Sequence, residues 1–271
     1  MFKQWLLNEE VQQDEQAEED IAAFLFYYVQ EAVKLYFQDN RQRTLPEYLQ
    51  TIWPGAVGQV QAGDGQFHLP PQIGRKPLPP HFVSQNLSLH LSPTQQGSYA
   101  TFGDGVMTVN YDPDRLSRAD DYRDMQNILQ QIQYQLYHEA THIATGKPGE
   151  DVKVKDAPWW EKHQKGTREY TQAQLHYYTD PGEVKAHARQ YAIMYMNKYP
   201  GEGYDPQKLL QMAQELKDYK MMRYASVLGD PHQQGQFPEL AGRMQEGAKA
   251  FNDYLSRFIQ PGGYRQYRPN Y

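Results

Sequence analysis

The sequence predicts an α+β fold, mainly helical, with a small antiparallel or mixed sheet ahead of a long central helix. Three observations predict it. Apolar residues recur at three- and four-residue steps near the start of the chain and again beyond residue 117. Between Trp53 and Tyr111 the pattern changes to short alternating runs broken by Gly and Pro. No internal repeat and no composition-biased linker interrupts the 271 residues. The chain therefore reads as a single domain over 1–260: helical to 55, β-rich over 56–111 and helical over 112–260, with a disordered tail at 261–271.

The first helix is expected from about Glu15 to Asp39, because Ile21, Phe24, Leu25, Tyr28, Val29, Ala32, Val33 and Tyr36 share one wide face. A shorter helix follows Thr44-Leu-Pro-Glu47, where Thr44 can cap and Pro46 suits the first turn. Val57–Gln61 and Gln66–Leu69 form one expected hairpin, and Tyr99–Phe102 with Val106–Tyr111 a second. Leu87–Leu91 alternates as a strand, and the proline-rich Pro70–Pro80 reads as an extended surface loop. Gly103-Asp104-Gly105 and Asp112-Pro113-Asp114 read as turns. A long helix is expected from about Arg118 to Thr145, ended by Gly146-Lys-Pro-Gly. Gly149–Tyr170 reads as polar and irregular, with Trp159 and Trp160 anchoring it. Further helices are expected at Pro181–Tyr199, Asp205–Ser226 and Phe237–Ile259.

Composition excludes several chemistries. With Cys 0 the chain has no disulfide scaffold, thiolate zinc cluster, iron–sulfur centre or cysteine nucleophile. The formal charge of −6 is local: seven acids and no base lie between Glu9 and Asp20, and without them 27 basic residues face 26 acidic ones. A neutral body with an acidic collar gives no support for nucleic-acid binding. Tyr at 22 and Gln at 33 are both high, which helps bring the mean hydropathy down to −0.87. No run of about 18 apolar residues predicts a membrane span, and MFKQWLLNEEVQQDEQ turns acidic too early for a secretory leader. That suits a cytoplasmic or a phage- or virion-associated protein without a membrane partner.

The sharpest chemical signal is His138-Glu139-Ala140-Thr141-His142. Histidines at i and i+4 share a helix face about one turn apart, where both imidazoles can grip one divalent ion. The glutamate between them projects beside that face and can serve as a general base toward water. On the helical wheel Met125, Leu129, Ile132, Leu136, Ala140 and Ile143 form a stripe roughly 80° wide, with His138 and His142 roughly 130° from its centre. The helix can thus bury one face and offer the histidines to another surface. A third ligand is needed. The HExxHxxGxxH extension is absent, since Gly146-Lys147-Pro148 stands where it would run. Downstream, Glu183-Val184-Lys185-Ala186 offers a carboxylate with a small residue one turn later. The same Asp180-Pro181-Gly182-Glu183 also fits a helix cap, with Glu183 reaching back to backbone. His187, one turn on, competes for the third position.

From Val106 to about Tyr195 the chain resembles the gluzincin branch of the zincin-like metallopeptidases. The resemblance implies Zn2+ held by His138, His142 and Glu183, Glu139 as general base, and a peptide or protein substrate. It implies an oxyanion-stabilising or outer group among His187, Tyr178 and Tyr177. It also implies that Val106–Tyr111 is an edge strand able to pair with an extended substrate. The expected function is a zinc-dependent peptidase; the alternative is a zincin-like metal-binding protein without turnover, acting as a binding or assembly component.

Overall fold

The computed structural model describes residues 2–53, 58–61, 64–73, 76–84, 86–93, 100–103, 105–119, 122–145 and 163–259. The fold is α+β and mainly helical. Residue contacts cluster into two compact units that part after Thr145, a division that no linker composition announces. The tail at 261–271 and the pair Trp159–Trp160 lie outside the described residues. No helix among the described residues is long and apolar enough to cross a membrane.

The first unit opens with α1 (Phe2–Gln38) and α2 (Leu45–Ile52). Ile21, Leu25, Val29, Ala32 and Val33 of α1 are wholly enclosed, which is the apolar face the spacing predicts. Asn40 and Arg41 take left-handed φ values of 50° and 63° and turn the chain out of α1. The Arg41 guanidinium then donates to the carbonyls of Ser117 and Ala119. At the start of α2, the Thr44 amide donates to Glu47 Oε2 at 2.6 Å, satisfying a backbone donor at the helix start. That bond also holds the Glu47 carboxyl below its ordinary pKa.

Five strands, β1 (Gly58–Gln61), β2 (Asp64–His68), β5 (Ser88–Pro93), β6 (Ala100–Gly103) and β7 (Val106–Tyr111), form a sheet in the order β1-β2-β5-β7-β6. Between β2 and β5, β3 (Gln72–Ile73) pairs with β4 (Lys76–Pro77), and α3 (Pro80–Ser84) follows. Pro70–Pro80 is thus not simply an extended loop: Ile73 and Leu78 are buried. Alternation sends Phe67, Leu89, Leu91, Met107 and Val109 into the core. The opposite face is polar, with His90 Nε2 2.7 Å from Asp64 Oδ1 and Gln66 donating to Ser88 at 3.0 Å.

Both expected hairpins form, but β7 is not an edge strand. It pairs antiparallel with β6 and parallel with β5, because the β6–β7 hairpin docks on β5 through its second strand. Among the described strands the edges are β1 and β6, so Val106–Tyr111 does not have the free side that the expected pairing with substrate needs: both its sides are already hydrogen-bonded. Trp53, which closes α2, stacks on Tyr28 at 5.0 Å and on Phe67 at 6.2 Å, tying α1 to the sheet.

The helix expected over Arg118–Thr145 forms as α5 (Tyr122–Thr145), and a short helix that the pattern does not predict, α4 (Pro113–Arg118), precedes it. Asp112-Pro113 is a helix start rather than a free turn: Asp112 accepts from the Arg115 amide at 3.0 Å, and proline fills the first position. Ala119 then adopts an extended conformation and breaks the run. α5 packs on α1 and on β6 and β7.

The second unit is helical. α6 (Arg168–Tyr178), capped by Thr167, begins where the sequence reads as irregular. α7 (Pro181–Lys198) packs on the late helix α11 (Ala241–Phe258). The helix expected over Asp205–Ser226 is broken. α8 (Pro206–Leu216) ends at Lys217, left-handed with φ 52°. Asp218 caps α9 (Tyr219–Met222), and a π-helical turn spans Arg223–Val227. α10 (Pro231–Gln236) and a 3-10 turn at Pro238–Leu240 lead into α11. Tyr191, Tyr195, Met244, Phe251 and Leu255 make the centre of this core.

Packing tolerance differs sharply between two glycines. A Cβ on Gly65 would lie 2.6 Å from Pro46 Cβ and 3.0 Å from the Phe67 ring, whereas one on Gly242 meets nothing within 4 Å. Gly65→Ala is expected to destabilise by about 1–3 kcal/mol in urea unfolding. Gly242→Ala, inside α11, should be neutral or stabilising by up to about 1 kcal/mol.

Candidate metal centre

α5 carries the candidate residues of the first unit. Its apolar stripe, Met125, Leu129, Ile132, Leu136, Ala140 and Ile143, is buried throughout. Thr141, also buried, donates its hydroxyl to the Tyr137 carbonyl at 2.9 Å, so its polarity is absorbed within the helix. His138 and Glu139 are buried, and His142 is partly so. The Nε2 atoms of His138 and His142 stand 3.3 Å apart, with ring centroids at 5.0 Å and ring planes at 71°.

That separation has a direct chemical meaning. Two imidazole nitrogens, each about 2.05 Å from one ion and set at a tetrahedral angle, lie about 3.3 Å apart. The i,i+4 spacing on an unbroken helix delivers this, and both nitrogens involved are Nε2.

A separate group of candidate residues belongs to the second unit, at the junction of α6 and α7. The local chain decides what Glu183 is free to do. Asp180 caps α7 by accepting from the amides of Gly182 at 2.9 Å and Glu183 at 3.3 Å, with Pro181 in the first turn. The Asp180 amide donates to the Tyr177 carbonyl at 3.0 Å, which removes the backbone donor that a capping-box glutamate would serve. Glu183 is instead buried, and its Oε2 lies 3.7 Å from His187 Nε2. Burial pushes its pKa up from 4.5 to about 7, against the lowering effect of a hydrogen bond with Tyr177.

His187 is 2% exposed and boxed by aromatic rings. Tyr191 stacks on it at 5.7 Å, Tyr224 lies 5.1 Å away, and Tyr178 and Tyr177 lie at 6.2 and 6.3 Å. Tyr177 serves Glu183, whereas Tyr178 packs against His187 with the Arg223 guanidinium 4.8 Å from its ring centre. Burial raises the Tyr178 pKa, with Arg223 opposing. Arg189 lies over the Phe258 ring at 4.9 Å. His176 is 3.0 Å from Arg243, and His163 is exposed.

The structure thus brings together His138 with His142 in the first unit, and Glu183 with His187, Tyr177 and Tyr178 in the second. One residue escaped the sequence reading. Tyr224, in the π-helical turn, is 1% exposed, and among the described residues its hydroxyl meets no hydrogen-bond partner. Its pKa is held well above 10.0 by burial first and the Glu183 carboxylate next. A buried, unsatisfied hydroxyl costs about 1–3 kcal/mol. Twenty-two tyrosines and a break in helical period hide it from any periodicity argument.

The Glu183 shift fixes the sign of a pH effect. Between pH 4.5 and about 7 the folded protein keeps a proton that the unfolded chain releases. Its contribution to stability is therefore complete at low pH and declines as pH rises through that window. In chelator-treated protein Glu183→Gln should remove this decline. It should exceed wild type at pH 8 by on the order of 2–3 kcal/mol in denaturant titration, and match it at pH 4.5. Parallel pH profiles for the two proteins would contradict the assignment.

Compared with protein-family models, with curated proteins and with solved structures, the chain returns no match.

Proposed function

We propose that the protein is a zinc-dependent peptidase of the zincin type, with His138, His142 and Glu183 as metal ligands and Glu139 as general base. The single observation that carries the reading is the 3.3 Å separation of the two Nε2 atoms, the spacing that two ligands of one tetrahedral ion require. The donor set also suits the ion: with no cysteine in the chain, imidazole and carboxylate are the strong ligands it has, and both are accepted by Zn2+. The Asp180 cap supports Glu183 as third ligand, because it leaves that carboxylate out of the cap.

A bound Zn2+ supplies Lewis acidity, lowering the pKa of water toward about 7 and polarising a carbonyl. The residues of the chain do the rest. His138 and His142 act as neutral imidazoles through Nε2, and Glu183 contributes negative charge. Glu139 takes a proton from the attacking water as its oxygen bonds to the peptide carbonyl carbon. It then delivers that proton to the leaving nitrogen as the C–N bond breaks, giving a carboxylic acid and an amine. His187 sits against Glu183 and is positioned to steady the carboxylate or stabilise charge on the substrate oxygen.

Elemental analysis of purified wild type, His142→Ala and Glu183→Ala tests the ligand set. The expected result is one zinc per wild-type chain and its loss in both variants. Full retention in Glu183→Ala would pass the third position to His187, and absence of metal from wild type would overturn the proposal. Glu139→Gln is expected to keep the metal and to lose about 10²–10⁴-fold of the hydrolysis of a denatured protein pool. Zinc bound by wild type with no hydrolysis at all would favour a metal-binding assembly component instead.

A further inference from the structure

The π-helical turn at Arg223–Val227 is the one place in the described second unit where a helix widens, the Leu228 amide donating to the Arg223 carbonyl at 3.0 Å. Such turns recur where a side chain must be redirected, often at functional sites. Tyr224 lies within this turn and is buried. Its ring stacks on Phe251 at 4.6 Å with planes 14° apart, meets Tyr178 edge-on at 5.6 Å and lies 5.1 Å from the His187 ring.

Phenylalanine would make the same ring contacts without a buried hydroxyl. Two independent features, the irregular turn and the buried O–H lacking a protein partner among the described residues, therefore converge beside the Glu183–His187 pair. A carboxylate that ligates a cation needs donors on its remaining lone pairs, and an imidazole ligand needs its other nitrogen held. Tyr177 supplies one such donor to Glu183. The Tyr224 hydroxyl is a second buried O–H, carried on a ring 5.1 Å from that of His187.

We propose that Tyr224 is a positioning residue for Glu183, the metal ligand of α7, its hydroxyl engaging the Glu183–His187 pair when a divalent cation is bound. This rests on Glu183 being a ligand, and it assigns a role to a hydroxyl that packing alone does not use. Its signature is a split between two properties: the hydroxyl favours the metal-loaded protein and disfavours the metal-free one.

Tyr224→Phe tests it. Co2+ is titrated into zinc-free wild type, Tyr224→Phe and Tyr195→Phe, following the visible absorption of the bound cobalt and the melting temperature without metal. Tyr195 is a control from the same core, whose hydroxyl is spent on the Gly203 carbonyl at 3.0 Å and the Asp205 amide at 3.1 Å. Tyr224→Phe is expected to raise the Co2+ Kd about 10-fold or more and to shift the cobalt spectrum, with no fall in the metal-free melting temperature. Tyr195→Phe is expected to melt lower and to bind cobalt as wild type does. Unchanged affinity and spectrum in Tyr224→Phe would overturn this inference while leaving the metal centre standing. An equal loss of affinity in Tyr195→Phe would also overturn it, because general loosening of the core would then account for the effect. Failure of wild type to bind cobalt or zinc overturns both this inference and the proposed function.

Discussion

Burying Glu183 and His187 in the aromatic core of the second unit is the constraint on which its other local choices depend. A carboxyl and an imidazole stand at successive turns of α7, nearly closed to solvent and ringed by tyrosines. Apolar residues of similar volume would fill the same space without desolvation cost. The neighbouring chemistry is arranged around that cost. Asp180 does the capping, so Glu183 can turn inward, and Tyr177 gives the carboxyl a donor. The raised pKa of Glu183, about 7, is the remainder that these contacts do not offset.

α5 solves a related problem differently. It must pack against α1 and the sheet along one stripe while holding two imidazoles in register on another. Regular helix geometry does this without special devices, because residues four apart are offset by only about 40° around the axis. Thr141, the most enclosed polar residue of the motif, satisfies itself on the Tyr137 carbonyl. Precision here comes from an uninterrupted helix, whereas in α7 and its surroundings it comes from caps, a left-handed break and a π-helical turn.

That difference explains what the sequence could and could not reveal. The α5 half was legible, because HExxH and a stripe such as Leu129, Ile132, Leu136 depend only on 3.6-residue periodicity. The hairpins were legible from alternation and turn residues, and the Thr44–Glu47 cap from its spacing. The place of β7 was not: strand order is set by which hairpin strand docks on β5, and Val106–Tyr111 alternates identically at an edge or in the interior. α4 was hidden because Asp112-Pro113-Asp114 suits a free turn as well as a capped helix start. Lys217 breaks the next helix from a left-handed conformation, which lysine rarely adopts and no composition rule flags. Tyr224 follows from that break and the widened turn after it, so its burial was invisible for the same reason.

Helix geometry also separates the positions of the three ionisable residues within HExxH. Taking about 100° per residue, His138 and His142 lie about 40° apart, while Glu139 lies about 60° beyond His142. An ion held by both Nε2 atoms would approach the helix over the sector that carries the histidines. Glu139 starts from the side of that sector. A carboxylate so placed is better suited to a proton carried on water beside the ion than to a bond with the ion itself. Under the proposed function a third ligand would come from another element, and Glu183 is a buried carboxylate kept out of its helix cap at the start of α7.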